Sequence, residues 1–342
     1  MLWEKTHYKR LELSLPKIFA EIAGTGASVP ERVLTNKELS EMVDTSDEWI
    51  QSRTGIQERR IADNGQLPSD LAMEASKIAL KNSGISPEDL DLIIVGTVTP
   101  DMIFPSTGCF LQQKLGAKNA AAFDISAACT GFIYGLSIAD GMISSGKYEN
   151  ILVVGVEILS RIINWEDRGT CILFGDGAGA VVVRKAAGDR RIINTYIKSD
   201  GNLSHLLNVE GGGSLYPSQK FNEHPEKFYI RMEGREVFRH AVSCMGDAAT
   251  RLIEENGFSV DEIKLVIPHQ ANIRIIDAIA KRLSVPKERV YINVNRFGNT
   301  SSASIPIALH EAYENGQIKE NDIVLLVAFG GGFTWGSVLI KF

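Results

Sequence analysis

Three side chains in this sequence have the types and settings that nucleophilic carbon chemistry needs: a cysteine, a histidine and an asparagine. Cys129 follows Asp124-Ile125-Ser126-Ala127-Ala128 and precedes Thr130-Gly131-Phe132, so a strand or loop delivers it to the start of a helix. The thiolate is the reactive form of cysteine, with an ordinary pKa of about 8.5. The positive end of a helix favours that anion, and its free N–H groups can hold an oxyanion. Ala127, Ala128 and Gly131 leave room beside it for a substrate. His269 lies in Val266-Ile267-Pro268-His269-Gln270-Ala271-Asn272, where an apolar run ends, at the sheet edge that commonly carries sites. Asn299 stands in Arg296-Phe297-Gly298-Asn299-Thr300-Ser301. As a helix cap it would be structural, yet its amide can still donate to a carbonyl. Gly330-Gly331-Gly332 follows another apolar run. Either it is a plain tight turn, or a backbone N–H there completes an oxyanion hole with the N–H of Cys129.

An internal repeat relates these positions. Gly84 to Ile94 resembles Gly257 to Ile267 at an offset of 173 residues, which sets His269 against Gly96. Cys129-Thr130-Gly131 to Gly146 resembles Asn299-Thr300-Ser301 to Gly316 at an offset of 170, which sets Cys129 against Asn299. Two copies carrying unlike residues at matched positions predict a reactive centre between them.

The elements that position these residues alternate. Strands are expected at Ile18 to Gly24, Leu92 to Thr97, Ile151 to Gly155, Ala180 to Val183, Leu265 to Ile267, Ile323 to Ala328 and Val338 to Ile340. Helices are expected at Leu71 to Ser83, Thr130 to Ser145, Arg235 to Asn256, Asn272 to Leu283 and Ser302 to Asn315. This is an α/β pattern, and two such halves stack as α-β-α-β-α. The Thr130–Ser145 helix is apolar almost all round, as a helix between two sheets must be. The division is an extension over 1–17, a first half over 18–190 and a second over 191–342, with the boundary near 185–200. Residues 200–227 are polar and glycine-rich and read as a surface excursion outside any tunnel to the cysteine.

Composition excludes several classes. With 36 Lys and Arg against 42 Asp and Glu, the net charge of −6 does not suit a nucleic-acid coat. The four cysteines lack C-x-x-C spacing and imply reduced thiols in a cytoplasmic protein. Residues 1–17 have no apolar signal core, and no run reaches membrane-spanning length. No metal is expected, because His310-Glu311 is followed by Glu314 where a second histidine ligand would stand. Phe174-Gly175-Asp176-Gly177-Ala178-Gly179 leads into a strand, whereas a dinucleotide loop must lead into a helix, so NAD is rejected.

In these settings Cys129, His269 and Asn299 resemble the thiolase-like superfamily, and within it most closely β-ketoacyl-acyl-carrier-protein synthase III. The motifs DTSDEWIQSRTGI, AFDISAACTGF, DRGT, LFGDGAGAVVV, IPHQANIRII, FGNTSSASIP and FGGGFTWGS carry the resemblance, which spans nearly all of 18–342. It implies a thiolase-like five-layered fold. The implied activity is a decarboxylating Claisen condensation of an acyl-CoA primer, acetyl-CoA foremost, with malonyl-acyl-carrier protein to start fatty acid synthesis. Cys129 would carry the acyl group, and His269 and Asn299 would stabilise the enolate. Gly331, with Cys129, would supply the oxyanion N–H groups. Trp49 and Arg168 would clasp the adenine of CoA, with Arg53 near its phosphates and Phe238, Asn272 and Arg274 along the pantetheine path. Gln270, Ala271, Asn272, Ile273, Arg274, Arg239, Lys281 and Arg282 would meet the acidic acyl carrier protein, within a patch that also holds Arg235. Phe104 would shape the acyl pocket of a partner subunit in a homodimer. No cofactor is implied beyond the substrates. Other readings are a relative serving secondary metabolism, a cysteine thioester hydrolase built on Cys129 and His269, and an inactive carrier-binding scaffold.

Overall fold

The continuous apolar runs form two sheets buried on both faces, as such runs require. A computed structural model describes residues 18–342; the extension over 1–17 lies outside the described residues. The first sheet holds β1 (Ala20–Ser28), β2 (Leu92–Gly96), β3 (Ala121–Ile125), β4 (Asn150–Ile158) and β5 (Asp176–Lys185), in the order β1-β5-β4-β2-β3. Within it β2 runs parallel to β3 and β4, while β5 is antiparallel to β4 and β1. The second sheet holds β6 (Arg191–Ser199), β7 (Ile263–Pro268), β8 (Ile323–Gly330) and β9 (Thr334–Lys341), in the order β7-β8-β9-β6. Its strands follow the first sheet's plan: β7 is parallel to β8, and β9 is antiparallel to β8 and β6. The counterpart of β3 has shrunk to a single parallel bridge between Val266 and Val290.

Helix α1 (Asp47–Thr54) flanks the later site. Helix α2 (Pro68–Ser83) covers the outer face of the first sheet, and α4 (Gly234–Glu255), with α5 (Ile273–Arg282) against it, covers the second. Between the sheets lie α3 (Gly131–Ser144) and α6 (Ser304–Glu314). Their side chains Phe132, Ile133, Leu136, Ala139, Ile305, Ala308 and Leu309 join residues from both sheets in one buried cluster. Each large aliphatic side chain buried there contributes about 1.5–3 kcal/mol. The middle helices are therefore clamped from both sides, and the architecture is the five-layered α-β-α-β-α stack.

Some expectations shift. Strand β6 fills the stretch read as an inter-half boundary; it is an edge strand whose later residues are exposed, so its apolar signal is weak. Strand β1 starts at Ala20 and runs to Ser28, later and longer than Ile18 to Gly24. The glycines of Phe174–Gly179 serve packing: a Cβ on Gly179 would lie 2.7 Å from the backbone N of Ile307, so only glycine lets α6 approach β5 this closely.

The repeat also needs correcting. Each middle helix is preceded by a 3₁₀ turn, Ala128–Thr130 before α3 and Ser301–Ala303 before α6. Each turn opens on a left-handed residue, Ala128 with φ 46° and Ser301 with φ 48°. The backbone offset is therefore 173 here too, and Cys129 matches Ser302 rather than Asn299. The offset of 170 between Gly146 and Gly316 arises because α6 has 11 residues against 14 in α3, close to one turn fewer.

Candidate active site

Cys129 occupies the 3₁₀ turn that leads into α3 and is 8% exposed. Burial pushes its thiol pKa up to about 12; a hydrogen bond from Ser301 works against this, and the nearby Glu157 adds to it. The expected helix-stabilised thiolate is thus not the resting form: desolvation outweighs the helix start, and the sulfur rests protonated. The turn after β8 closes over it. A Cβ on Gly330 would lie 2.7 Å from Cys129 N and 3.2 Å from Cys129 Cβ, so the main chain of β8 rests directly on the cysteine. The Thr334 hydroxyl bonds to Thr130 Oγ1 and donates to the carbonyls of Ala127 (3.0 Å) and Gly331 (3.1 Å), tying the two turns together.

His269 follows the last residue of β7. Its N–H donates to Val327 O at 2.8 Å, and Nδ1 lies 2.7 Å from Ser304 Oγ, the first residue of α6. Ser304 Oγ also accepts the N–H of Gln270 at 3.4 Å. In the tautomer where Ser304 Oγ donates to Nδ1, the ring proton stands on Nε2. Burial holds the imidazole down at about 3, so it is neutral near pH 7. Asn299 is buried and held by its main chain, with N donating to Leu173 O at 2.8 Å and O accepting from Gly175 N at 3.0 Å. Its Oδ1 accepts the N–H of Ser301 at 2.9 Å, leaving Nδ2 as the free donor of the amide. Ser301 and Ser304, which orient Asn299 and His269, were missed by sequence reasoning; their only signal is their place in FGNTSSASIP.

Two cavities meet at Cys129. The first, about 460 Å³, is lined by Cys129, His269 and Asn299 and, further out, by Trp49, Arg53, Phe238, Ala271, Asn272 and Arg274. Asn272 caps α5, accepting the N–H of Ile275 at 3.0 Å, and Arg274 lies over the Phe238 ring at 5.7 Å. The second, about 880 Å³, is lined by Cys129, Ser301, Gly331 and Ile103 and by Leu207, Asn208, Val209, Gly211 and Gly212. The excursion over 200–227 therefore walls a chamber that opens on the cysteine, contrary to the expectation that it lies outside.

The outer residues divide. Arg168 sits over the Trp49 ring at 4.9 Å and donates to Asp44 O at 2.8 Å, with Arg53 over the same ring at 5.8 Å. An intercalated base needs two contacts of about 3.5 Å, so Trp49 and Arg168 form a direct stack and not an open clasp. Gln270 is 1% exposed. Its Nε2 donates to the carbonyls of Pro268 and Tyr291, and its Oε1 accepts from the N–H groups of Asn293 and Val294. It cannot meet a docking partner, and that expectation is corrected. Ile273 is half-buried against Gly55. Arg239 and Arg282 are exposed but ion-paired with Glu236 and Asp247 of α4, and Lys281 is exposed. Phe104 is 82% exposed and lines neither chamber of its own chain. No helix among the described residues is long and apolar enough to cross a membrane.

Comparison with known proteins agrees with this geometry. A family model described as "3-Oxoacyl-[acyl-carrier-protein (ACP)] synthase III" matches residues 123–201, and one for the C terminal of the same family matches 253–342. The Beta-ketoacyl-[acyl-carrier-protein] synthase III of Caldanaerobacter subterraneus subsp. tengcongensis is 55% identical over 325 residues, covering 95% of this chain and 98% of the relative. That of Natranaerobius thermophilus is 52% identical, covering 94% and 99%. The crystal structure of 3-oxoacyl-[acyl-carrier-protein] synthase III from Aquifex aeolicus superposes with a TM-score of 0.89 at 50% identity, covering 94% of this chain and all of that one. The chain belongs to the β-ketoacyl-acyl-carrier-protein synthase III family.

Proposed function

We propose that the chain condenses an acyl-CoA primer, acetyl-CoA foremost, with malonyl-acyl-carrier protein, releasing CO₂ and opening fatty acid synthesis through an acyl-cysteine. The observation that carries this is one cavity lined at its floor by Cys129, His269 and Asn299 and near its mouth by Trp49, Arg53 and Arg274. Cys129 attacks the primer thioester while the N–H groups of Cys129 and Gly331 hold the oxyanion. CoA leaves, and the acyl group lies in the second chamber. The malonyl thioester carbonyl then accepts from His269 Nε2–H and Asn299 Nδ2–H. Both donors are neutral, so they stabilise the enolate formed on loss of CO₂ without quenching it as an acid would. The enolate attacks the acyl-cysteine, forming the new carbon–carbon bond.

In this reading Phe238, Asn272 and Arg274 guide the pantetheine arm, and Trp49, Arg53 and Arg168 hold the nucleotide end of CoA once the Arg168 stack opens. Ala271, Asn272, Ile273, Arg274, Arg239, Lys281 and Arg282 form the carrier-protein face. The exposed Phe104 completes the chamber of a second copy in a homodimer. The halves 18–190 and 191–342 act as one catalytic unit, the substrates suffice without a resident cofactor, and the cytoplasm keeps Cys129 reduced. The test is product mass. Wild-type protein with acetyl-CoA gains one acetyl group, Cys129→Ala gains none, and malonyl-carrier protein then yields 3-ketoacyl-carrier. Free acid with CoA would make the protein a hydrolase and overturn the reading.

A further inference from the structure

The mechanism above leaves a buried acid near Cys129 unused. Glu157 is fully buried near the end of β4, on the face turned toward the middle layer. Its Oε2 accepts from Thr99 Oγ1 (2.6 Å), Val98 N (3.1 Å) and Thr97 Oγ1 (3.3 Å), and its Oε1 from Ser301 Oγ (3.1 Å). Among the described residues no cation pairs with it, and its partner across β5 is Gly177, which offers no side chain. Asp176, the next acid on β5, is engaged with Ala62 and Ser160 instead. The titratable group that feels Glu157 is Cys129. A carboxyl buried without a countercharge is costly.

Ser301 connects the two. Its hydroxyl donates to Glu157 Oε1, its left-handed backbone opens the turn packed against that of Cys129, and Ser301 and Cys129 line one chamber. We propose that Glu157 receives the Cys129 proton through the Ser301 hydroxyl during acylation, stores it while the acyl-enzyme exists, and returns it when the condensation releases the sulfur. The inference rests on the acyl-cysteine reading. In acylation the S–H proton passes to Ser301 Oγ as the Ser301 proton passes to Glu157 Oε1. The sulfur forms its bond to the acyl carbon, the acyl–sulfur bond to CoA breaks, and the departing thiolate takes a solvent proton. In condensation the carbanion left by CO₂ forms the carbon–carbon bond, the acyl–Cys129 bond breaks, and the stored proton returns along the same path. Energetics favour this acceptor over the imidazole: burial raises Glu157 to about 7 and holds His269 down at about 3, so the carboxylate retains a proton about 10⁴-fold more readily.

The experiment follows acyl-enzyme formation by rapid-quench mass spectrometry between pH 5.5 and 9, with Cys129 alkylation by iodoacetamide in parallel. Wild type should show an ascending limb near pH 7 in both. Glu157→Gln should lower acylation about 10²-fold, the scale of general-base assistance, and erase that limb. Ser301→Ala should do the same without harming the fold, since Ala128 already occupies the matching left-handed position. A limb near pH 7 that persists in both variants, even with slower acylation, reduces Glu157 to a structural anchor and overturns the relay. Alkylation needs no acyl-CoA, so a failure of the acyl-cysteine reading and a failure of the relay give different results.

Discussion

Gly330→Ala tests how tightly β8 seats the nucleophile. The new Cβ would stand 2.7 Å from Cys129 N, where ordinary contact begins near 3.4 Å, so about 0.7 Å must be found. Both neighbours are main chain in buried elements, and neither can turn aside as a flexible side chain would. Overpacking of this kind costs about 1–3 kcal/mol of stability. Displacing the sulfur and its N–H by most of an ångström should slow acylation by about 10- to 10²-fold, because reacting atoms misplaced by 1 Å lose about that much. The assay is single-turnover transfer from acetyl-CoA read by intact mass, with thermal unfolding to verify the fold. Acylation within twofold of wild type, with no drop in melting temperature, would refute the claim that this glycine seats the cysteine.

Asn299→Asp keeps an oxygen for the Ser301 N–H but loses the Nδ2 donor; decarboxylation should fall about 10²- to 10³-fold while acylation falls far less, and equal losses by CO₂ release and acyl-enzyme mass would reject the assigned role. Gln270→Ala strands four backbone groups and should cost about 2–4 kcal/mol, with the KM for malonyl-carrier protein unchanged; a raised KM without destabilisation would restore it to the docking face. His269 has a folded pKa near 3 against 6.5 unfolded, so the unfolded chain binds the extra proton between those values. Its stability contribution is present above pH 6.5 and lost as pH falls toward 3, at up to about 1.4 kcal/mol per pH unit; denaturant melts of His269→Asn should lack that part of the slope.

The meeting of Cys129, His269 and Asn299 at one cavity was legible because each sits where an element begins or ends, and such places carry local signals. Glu157, Ser301 and Ser304 were not, because their meaning lies in partners far away in sequence: Ser301 reaches Glu157 across 144 positions, and Ser304 reaches His269 across 35. The misaligned repeat has a related cause. A helix nearly superposes on itself after one turn, so offsets of 170 and 173 preserve much the same apolar face, and only the left-handed residues at Ala128 and Ser301 fix the register. The resemblance set Gln270 on the docking face, and its burial was not legible because its four backbone bonds come from segments the sequence does not show to be adjacent.

The two chambers at Cys129 have an evolutionary consequence. Among the described residues their linings share only Cys129, Phe174 and Leu207. In the proposed reading, selection on which starter is accepted can therefore reshape residues 208–212 and 228–230 while the delivery channel stays as it is, and a new delivery partner can be accommodated at the other mouth without disturbing starter choice. The sulfur is a hub between two nearly separable modules, each free to drift as long as the hub stays fixed.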